Sequence, residues 1–196
     1  MKLIQIAGFL GSGKTTMILN IAKKFSTEYG KKTTIIVNDF GEVGIDGEVM
    51  KNYGLDTMEI TGGCVCCTLA TSLVNTLVLL EEGFNPDIVI LEPSGVAYPS
   101  QVTKSLDIAG MSKGLTITTV DISRFEEIIK FEGIIIGRRQ VKEADIVVIN
   151  KVDLIDSDNI LDDAIVFLKE MNPNAEILNI SAKSGQGIDA LINRIL

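Results

Sequence analysis

The chain has 196 residues, 46% of them hydrophobic and 22% charged, and its 26 acidic against 18 basic side chains give a formal net charge of −8. That length and apolar content suit one globular domain over residues 1–196 with a full-sized core. The acidic balance argues against broad nucleic-acid binding, yet it leaves room for a small polyanion, because a helix N-terminus and one lysine suffice to hold a phosphate.

The longest apolar runs, such as the one inside Asp145–Asn150, are too short to span a bilayer. The opening residues Met1–Ile6 lack the apolar region and cleavage site of a secretion signal. Three cysteines, an odd number, then fit a reducing cytoplasm, so a cytoplasmic protein with no membrane partner is expected. Histidine is absent, which removes the commonest neutral base and the commonest metal-binding nitrogen.

In chain order, a first strand is predicted at Lys2–Ala7. It runs into Gly8-Phe-Leu-Gly-Ser-Gly-Lys-Thr15, which matches G-x-x-x-x-G-K-[ST] and opens a helix predicted over Lys14–Tyr29. In that strand–turn–helix setting the backbone around Gly8, Gly11, Ser12, Gly13 and Thr16 is expected to cradle a nucleotide's phosphates. Lys14 is expected to reach the β- and γ-phosphates, and the Thr15 hydroxyl to ligate magnesium. A second strand, Thr33–Asn38, leads into Asn38-Asp-Phe-Gly-Glu-Val-Gly-Ile-Asp46. Here Asp39 and Glu42 are candidates to bind magnesium or orient an attacking water, and equally readable as loop carboxylates with no chemical part.

All three cysteines, Cys64, Cys66 and Cys67, fall in Thr61-Gly-Gly-Cys-Val-Cys-Cys-Thr-Leu-Ala70, just ahead of a helix predicted over Thr68–Glu82. A helix N-terminus lowers thiol pKa, and three thiolates suit zinc, cobalt(II) or copper(I) with a fourth position open. Redox sensing is the second reading, since Cys64 and Cys67 supply a C-x-x-C spacing, and inert packing is the third.

A strand at Asp87–Leu91 ends in Glu92-Pro-Ser-Gly95. An acid at the end of an apolar strand, three residues before glycine, is placed to hold magnesium and sense a γ-phosphate, although a solvated strand-end carboxylate would look the same in isolation. Helices are predicted at Pro99–Ala109 and Ser123–Phe131 around a strand at Leu115–Val120. Arg138 and Arg139 follow, read either as charge for catalysis or as surface charge. With no defensible arginine finger, hydrolysis of the nucleotide is expected to be slow without a partner.

The strand at Asp145–Asn150 continues as Asn150-Lys-Val-Asp153, an N-K-x-D pattern. A carboxylate at Asp153 matches the paired donors of guanine at N1 and the exocyclic amine, which adenine lacks. The Lys151 stem can cover the ring face. After a helix predicted over Ser157–Met171 and a strand at Ala175–Ile180, Ser181-Ala182-Lys183 offers a backbone N–H for guanine O6, before a last helix at Ile188–Ile195. A metabolic kinase would share the phosphate loop but not the N-K-x-D. Continuous apolar strands alternating with helices define the fold class as α/β: a doubly wound, mainly parallel sheet in a three-layer P-loop NTPase sandwich.

Taken together, "GFLGSGKT", "VNDFGEVGID", "GGCVCC", "LEPSG" and "NKVDL" occur in the order found in CobW-like GTPases, and the chain resembles that group from Lys2 to about Leu154. The "SAKSGQG" stretch at Ser181–Gly187 is more similar to the related UreG and HypB types. The resemblance implies a GTP-regulated metallochaperone or metal insertase. Its magnesium would be held by Thr15, Glu92 and Asp39, and Cys64, Cys66 and Cys67 would form a zinc or cobalt site. It also implies a client metalloprotein or cofactor protein and a GTP-dependent homodimer. CobW-like proteins usually carry a further C-terminal domain and often a histidine-rich stretch, so a short form without that domain is expected. The alternative is a GTP-dependent switch, or an activator of a cobalamin or other cofactor protein, whose cysteines sense metal or redox state and deliver nothing.

Overall fold

The computed structural model describes residues 1–37, 56–59, 68–108, 110–125, 135–155 and 157–196. Strands β1 (Lys2–Gly8), β2 (Thr33–Val37), β3 (Asp56–Glu59), β4 (Ile88–Glu92), β5 (Leu115–Asp121), β6 (Ile146–Asn150) and β7 (Glu176–Asn179) form one sheet in the order β3-β2-β4-β1-β5-β6-β7. Every neighbouring pair is parallel. The helices are α1 (Lys14–Thr27), α2 (Thr68–Leu79), α3 (Pro99–Ile108), α4 (Ile135–Lys142), α5 (Asp158–Met171) and α6 (Ile188–Ile195).

The apolar runs of the sequence are explained by burial on both faces. Ile4, Ile6, Ile35, Ile88, Ile90, Ile117, Ile146 and Val148 turn to one side, where Ile18 and Phe25 of α1 and Leu191 and Ile195 of α6 cover them. Their neighbours Leu3, Ile36, Val89 and Leu91 turn to the other side, against Leu77 and Leu106 of α2 and α3. Val147 and Ile149 meet Val141 of α4 and Leu168 of α5 on that same side. Alternation across the pleat places successive strand residues on opposite faces, so a strand covered twice must be apolar throughout. In α1 the buried positions Met17, Ile18, Ile21, Ala22 and Phe25 keep the 3.6-residue period, and burying each of the larger ones stabilises the packing by roughly 1.5–3 kcal/mol.

The structure adds two elements that the sequence pattern does not reveal. Strand β3 lies at the sheet edge, paired among the described residues to β2 alone; its Asp-Thr-Met-Glu composition has no apolar run, and the backbone ladder defines it. Helix α4 contains Gly137 and begins on a run of isoleucines, so it reads locally as anything but a helix. Where a helix is expected over Ser123–Phe131, the chain forms a 3₁₀ turn at Ile122–Arg124, and the residues beyond Phe125 lie outside the described ones. The α2 helix ends at Leu79 rather than Glu82 and passes into a π turn at Leu80–Phe84, closed by Asn85 with φ +43°.

The strand order positions the site. The chain leaves β1 toward the β2 side, and after β4 it crosses back past β1 to reach β5. The C-terminal end of β1 therefore sits where the winding reverses, the place at which α/β sheets open a crevice for a ligand.

Candidate nucleotide site

Because all strands run the same way, Gly8, Glu92, Asp121 and Asn150 arrive together at one edge of the sheet as the last residues of β1, β4, β5 and β6. Gly8 has φ +143°, and a Cβ there would lie 2.5 Å from the Thr119 carbonyl oxygen on β5, so the turn can leave the strand only as glycine. Gly13, with φ +88°, is the N-cap of α1 and would place a Cβ 2.3 Å from Asn150 Nδ2. The first turn of α1 has neither a side-chain cap nor an acidic residue. Its N-terminal backbone and dipole thus face the loop, the arrangement that suits a phosphate. Ser12 is buried, with its N–H donated to the Phe9 carbonyl at 3.1 Å. Lys14 is only 7% exposed and its Nζ reaches the Phe9 carbonyl at 3.4 Å. Gly11, at φ +75°, has open space beside it, and Thr16 is exposed at the start of the helix.

Thr15 and Glu92, 77 positions apart in sequence, are brought together: the Thr15 hydroxyl donates to Glu92 Oε1 at 3.1 Å and Oε2 at 3.3 Å. Two hard oxygens about 3.0 Å apart are what neighbouring ligands at 2.1 Å from an octahedral magnesium require, so these residues fit that ion. Glu92 is itself 8% exposed. Behind it Gly95 packs on the phosphate loop, where a Cβ would come 3.2 Å from Leu10 N.

The other wall is built around Asn150, which is 1% exposed. Its Nδ2 donates to the Ser12 carbonyl at 2.8 Å and its Oδ1 accepts from the Ala182 N–H at 2.9 Å. One side chain therefore ties the phosphate loop to the Ser181–Lys183 turn. Asn20 of α1 adds a second tie, donating to the Ala182 carbonyl at 2.6 Å. Since Ala182 N–H is committed to Asn150, the Lys183 N–H is the one in that turn without a partner among the described residues. Ser181 is fully buried and accepts from Ser184 N–H at 3.1 Å.

Lys151 is held at φ +67°, an uncommon conformation for a residue with a side chain. It is maintained by Leu154 N–H on its carbonyl and by its Nζ paired with the nearly buried Asp121. The side chain thereby runs from the end of β6 to the end of β5. Asp153 sits in the 3₁₀ turn that follows and is exposed, with no partner for its carboxylate among the described residues.

Three supporting residues escape sequence reasoning. Asp121, which also accepts from Ser123 N–H and Oγ, could have been flagged by the same strand-end position that marks Glu92. Asn20 and Gln140 carry no local signal. Asp39, Glu42, Cys64, Cys66 and Cys67 lie outside the described residues. Among the described residues no group of histidine, cysteine, aspartate or glutamate side chains is arranged for a metal, and no helix is long and apolar enough to cross a membrane. Arg139 is committed to Glu143 at 2.8 Å and stacks over Tyr98; Arg138 is exposed.

A parallel sheet wound both ways about β1, with a glycine loop feeding α1, defines a P-loop NTPase. Residues 2–179 match the family model described as CobW/HypB/UreG, nucleotide-binding domain, and the chain belongs to that family of P-loop GTPases. It is 34% identical to the zinc chaperone CobW of Sinorhizobium sp, in an alignment of 183 positions covering 78% of this chain and 51% of the relative. It is 46% identical over 99 residues to the zinc chaperone YeiR of Escherichia coli, covering 50% of this chain and 29% of that protein. The chain thus spans about half or less of these curated relatives. In fold it is similar to the hydrogenase maturation factor HypB from Archaeoglobus fulgidus, with a TM-score of 0.74 at 20% identity over 99% of this chain and 88% of that one. HypB from Helicobacter pylori in complex with nickel gives the same TM-score and identity, over 99% and 85%.

Proposed function

We propose that this chain is a GTP-binding, slowly GTP-hydrolysing metallochaperone module of the cytoplasm, in which GTP with magnesium gates a thiolate metal site. The observation that carries the reading is the convergence at one sheet edge: Thr15 beside Glu92, the phosphate loop between, and Asn150 bracing that loop to the Ser181–Lys183 turn. Gly8, Gly11, Ser12, Gly13 and Thr16 line the phosphates in this reading, and Lys14 offsets their charge. Thr15, Glu92 and Asp39 hold magnesium, which would supply charge neutralisation at the γ-phosphate. Asp39 and Glu42 orient water. Asp153 reads the paired donors of guanine, Lys151 covers its face, and Lys183 N–H meets O6.

Cys64, Cys66 and Cys67 are the cargo site for zinc, cobalt or a related ion. They fall in the chain between β3 and α2, after the Asp39–Asp46 segment that GTP with magnesium would order. Family membership and the names of its relatives support metal handling; the client is a metalloprotein or cofactor protein, and the working form is a GTP-dependent homodimer. Hydrolysis would relax the two γ-phosphate-sensing segments and weaken the grip on the ion.

The test is an anaerobic cobalt(II) titration followed by optical absorption, in the presence of a GTP analogue with magnesium, then GDP, then on a variant with all three cysteines changed to serine. Intense thiolate-to-cobalt bands that strengthen with the GTP form and vanish in the variant are expected. Absence of those bands in every state would overturn the cargo reading and leave a GTPase whose cysteines serve another end.

A further inference from the structure

We propose that Gln140, supported by Glu143, is a positioning residue for GTP hydrolysis: from α4 it fixes the segment after β4 that would read the γ-phosphate. The inference rests on the reading of the phosphate loop as a GTP site. Arg139 and Gln140 in the last turn of α4 and Glu143 just after it stand within about one turn of each other, and between them they hold four of the six residues of Gly95–Ser100. Gln140 is fully buried, and its Nε2 spends both hydrogens on that segment, donating to the Gly95 carbonyl at 3.1 Å and the Ala97 carbonyl at 2.8 Å. The Glu143 carboxylate accepts from Ser100 N–H at 2.8 Å, capping the start of α3, and Arg139 lies 4.3 Å over the ring of Tyr98. The helix is itself anchored beside the site, since the Gln140 carbonyl accepts from the Thr118 hydroxyl on β5 at 2.9 Å.

Two features separate this clamp from ordinary packing. Gln140 Oε1 is buried with no hydrogen-bond partner among the described residues. Turning the amide over would press that oxygen against two carbonyls, so its orientation is settled, and an apolar residue would avoid the cost of the stranded acceptor. What the amide obtains in exchange is the placement of Gly95, whose other side is in contact with the phosphate loop near Leu10 N and the Gly8 carbonyl. Gly95 is held between the loop and Gln140. Phosphoryl transfer depends on positioning more than on covalent chemistry, so releasing one side of Gly95 should act on the rate while leaving the phosphate loop and base turn intact.

The test compares wild type with Gln140→Met, which keeps the length of the side chain and removes both donors. The readouts are kcat and KM for GTP with magnesium and the affinity for a fluorescent GDP. A fall in kcat of about 10- to 100-fold, with GDP affinity and KM within about twofold, is expected. A kcat within twofold of wild type overturns the proposal, as does a loss of GDP affinity as large as the loss of kcat, which would mean general damage. Should Gln140→Met not fold, Glu143→Ala at the half-buried rim decides: a lower kcat at unchanged GDP affinity supports the clamp and an unchanged kcat overturns it. A wild-type chain that neither binds nor hydrolyses GTP overturns the GTP-site reading itself, and this proposal with it.

Discussion

Replacing Asn150 with alanine tests the brace that joins the two walls of the site. The side chain is 1% exposed and satisfies two backbone groups, the Ser12 carbonyl at 2.8 Å and the Ala182 N–H at 2.9 Å. Truncation strands both. Each unpaired buried group costs about 1–3 kcal/mol, and water entering the vacated space recovers part of that, so a loss of about 2–4 kcal/mol follows. For a chain of this size each kcal/mol lowers Tm by about 2–4 °C, which predicts a drop of roughly 5–15 °C in the nucleotide-free protein. Thermal unfolding followed by circular dichroism measures it. Asn150→Asp sharpens the result, because a carboxylate still accepts from Ala182 N–H but opposes the Ser12 carbonyl. It should keep the Ala182 contact and still lose much of the stability. A Tm within 2 °C of wild type for the alanine variant would refute the brace, and an Asp variant as stable as wild type would refute the donor direction.

Gly8→Ala should destabilise the chain by at least about 2 kcal/mol, read by chemical denaturation, since its Cβ would sit 2.5 Å from the Thr119 carbonyl at φ +143°; an unchanged denaturation midpoint would show that the turn relaxes freely. Asp153→Asn should weaken GTP by about 100-fold while leaving the phosphate loop's response to inorganic triphosphate unchanged, and equal GTP affinity in both proteins would put the base elsewhere. Burial pushes the Glu143 carboxyl up, but the bonds from Arg139 and Ser100 and the guanidinium charge outweigh it and hold it below its ordinary value. A depressed folded value stabilises fully above the ordinary glutamate range and is lost as the pH falls through that lower value. The Tm gap between wild type and Glu143→Ala should therefore close under acid, and a gap unchanged from pH 6 downward would contradict the pairing.

What could be read in advance follows from the range over which each interaction acts. The phosphate loop is a contiguous eight-residue pattern whose glycines are demanded by local turns, so Gly8, Gly13, Lys14 and Thr15 were legible. The strands β1, β4, β5 and β6 were legible because burial on both faces forces an apolar run. The edge strand β3 was not, since a backbone ladder leaves no such mark on Asp56–Glu59. Nor was the pairing of Lys151 with Asp121, or the grip of Gln140 on Gly95 and Ala97, because these join residues 30 to 45 positions apart through geometry that only the folded sheet creates.

That difference in range also divides the labour within the site. Asn150 and Asn20 fasten the phosphate loop and α1 to the Ser181–Lys183 turn through buried bonds whose partners exist whether two or three phosphates are bound. In the proposed site a brace of this kind would hold GDP and GTP alike, and a contact that is equal in two states cannot shift the balance between them. Discrimination has to come from groups placed beyond the β-phosphate. Under the proposed reading those are Lys14, Glu92 and Gly95, and the Gly95–Ala97 stretch is kept in place by two bonds from one amide on a neighbouring helix. In the proposed reading the segment that would sense the γ-phosphate is thus tethered from α4 rather than built into the brace, so losing that tether would leave the base and phosphate walls standing.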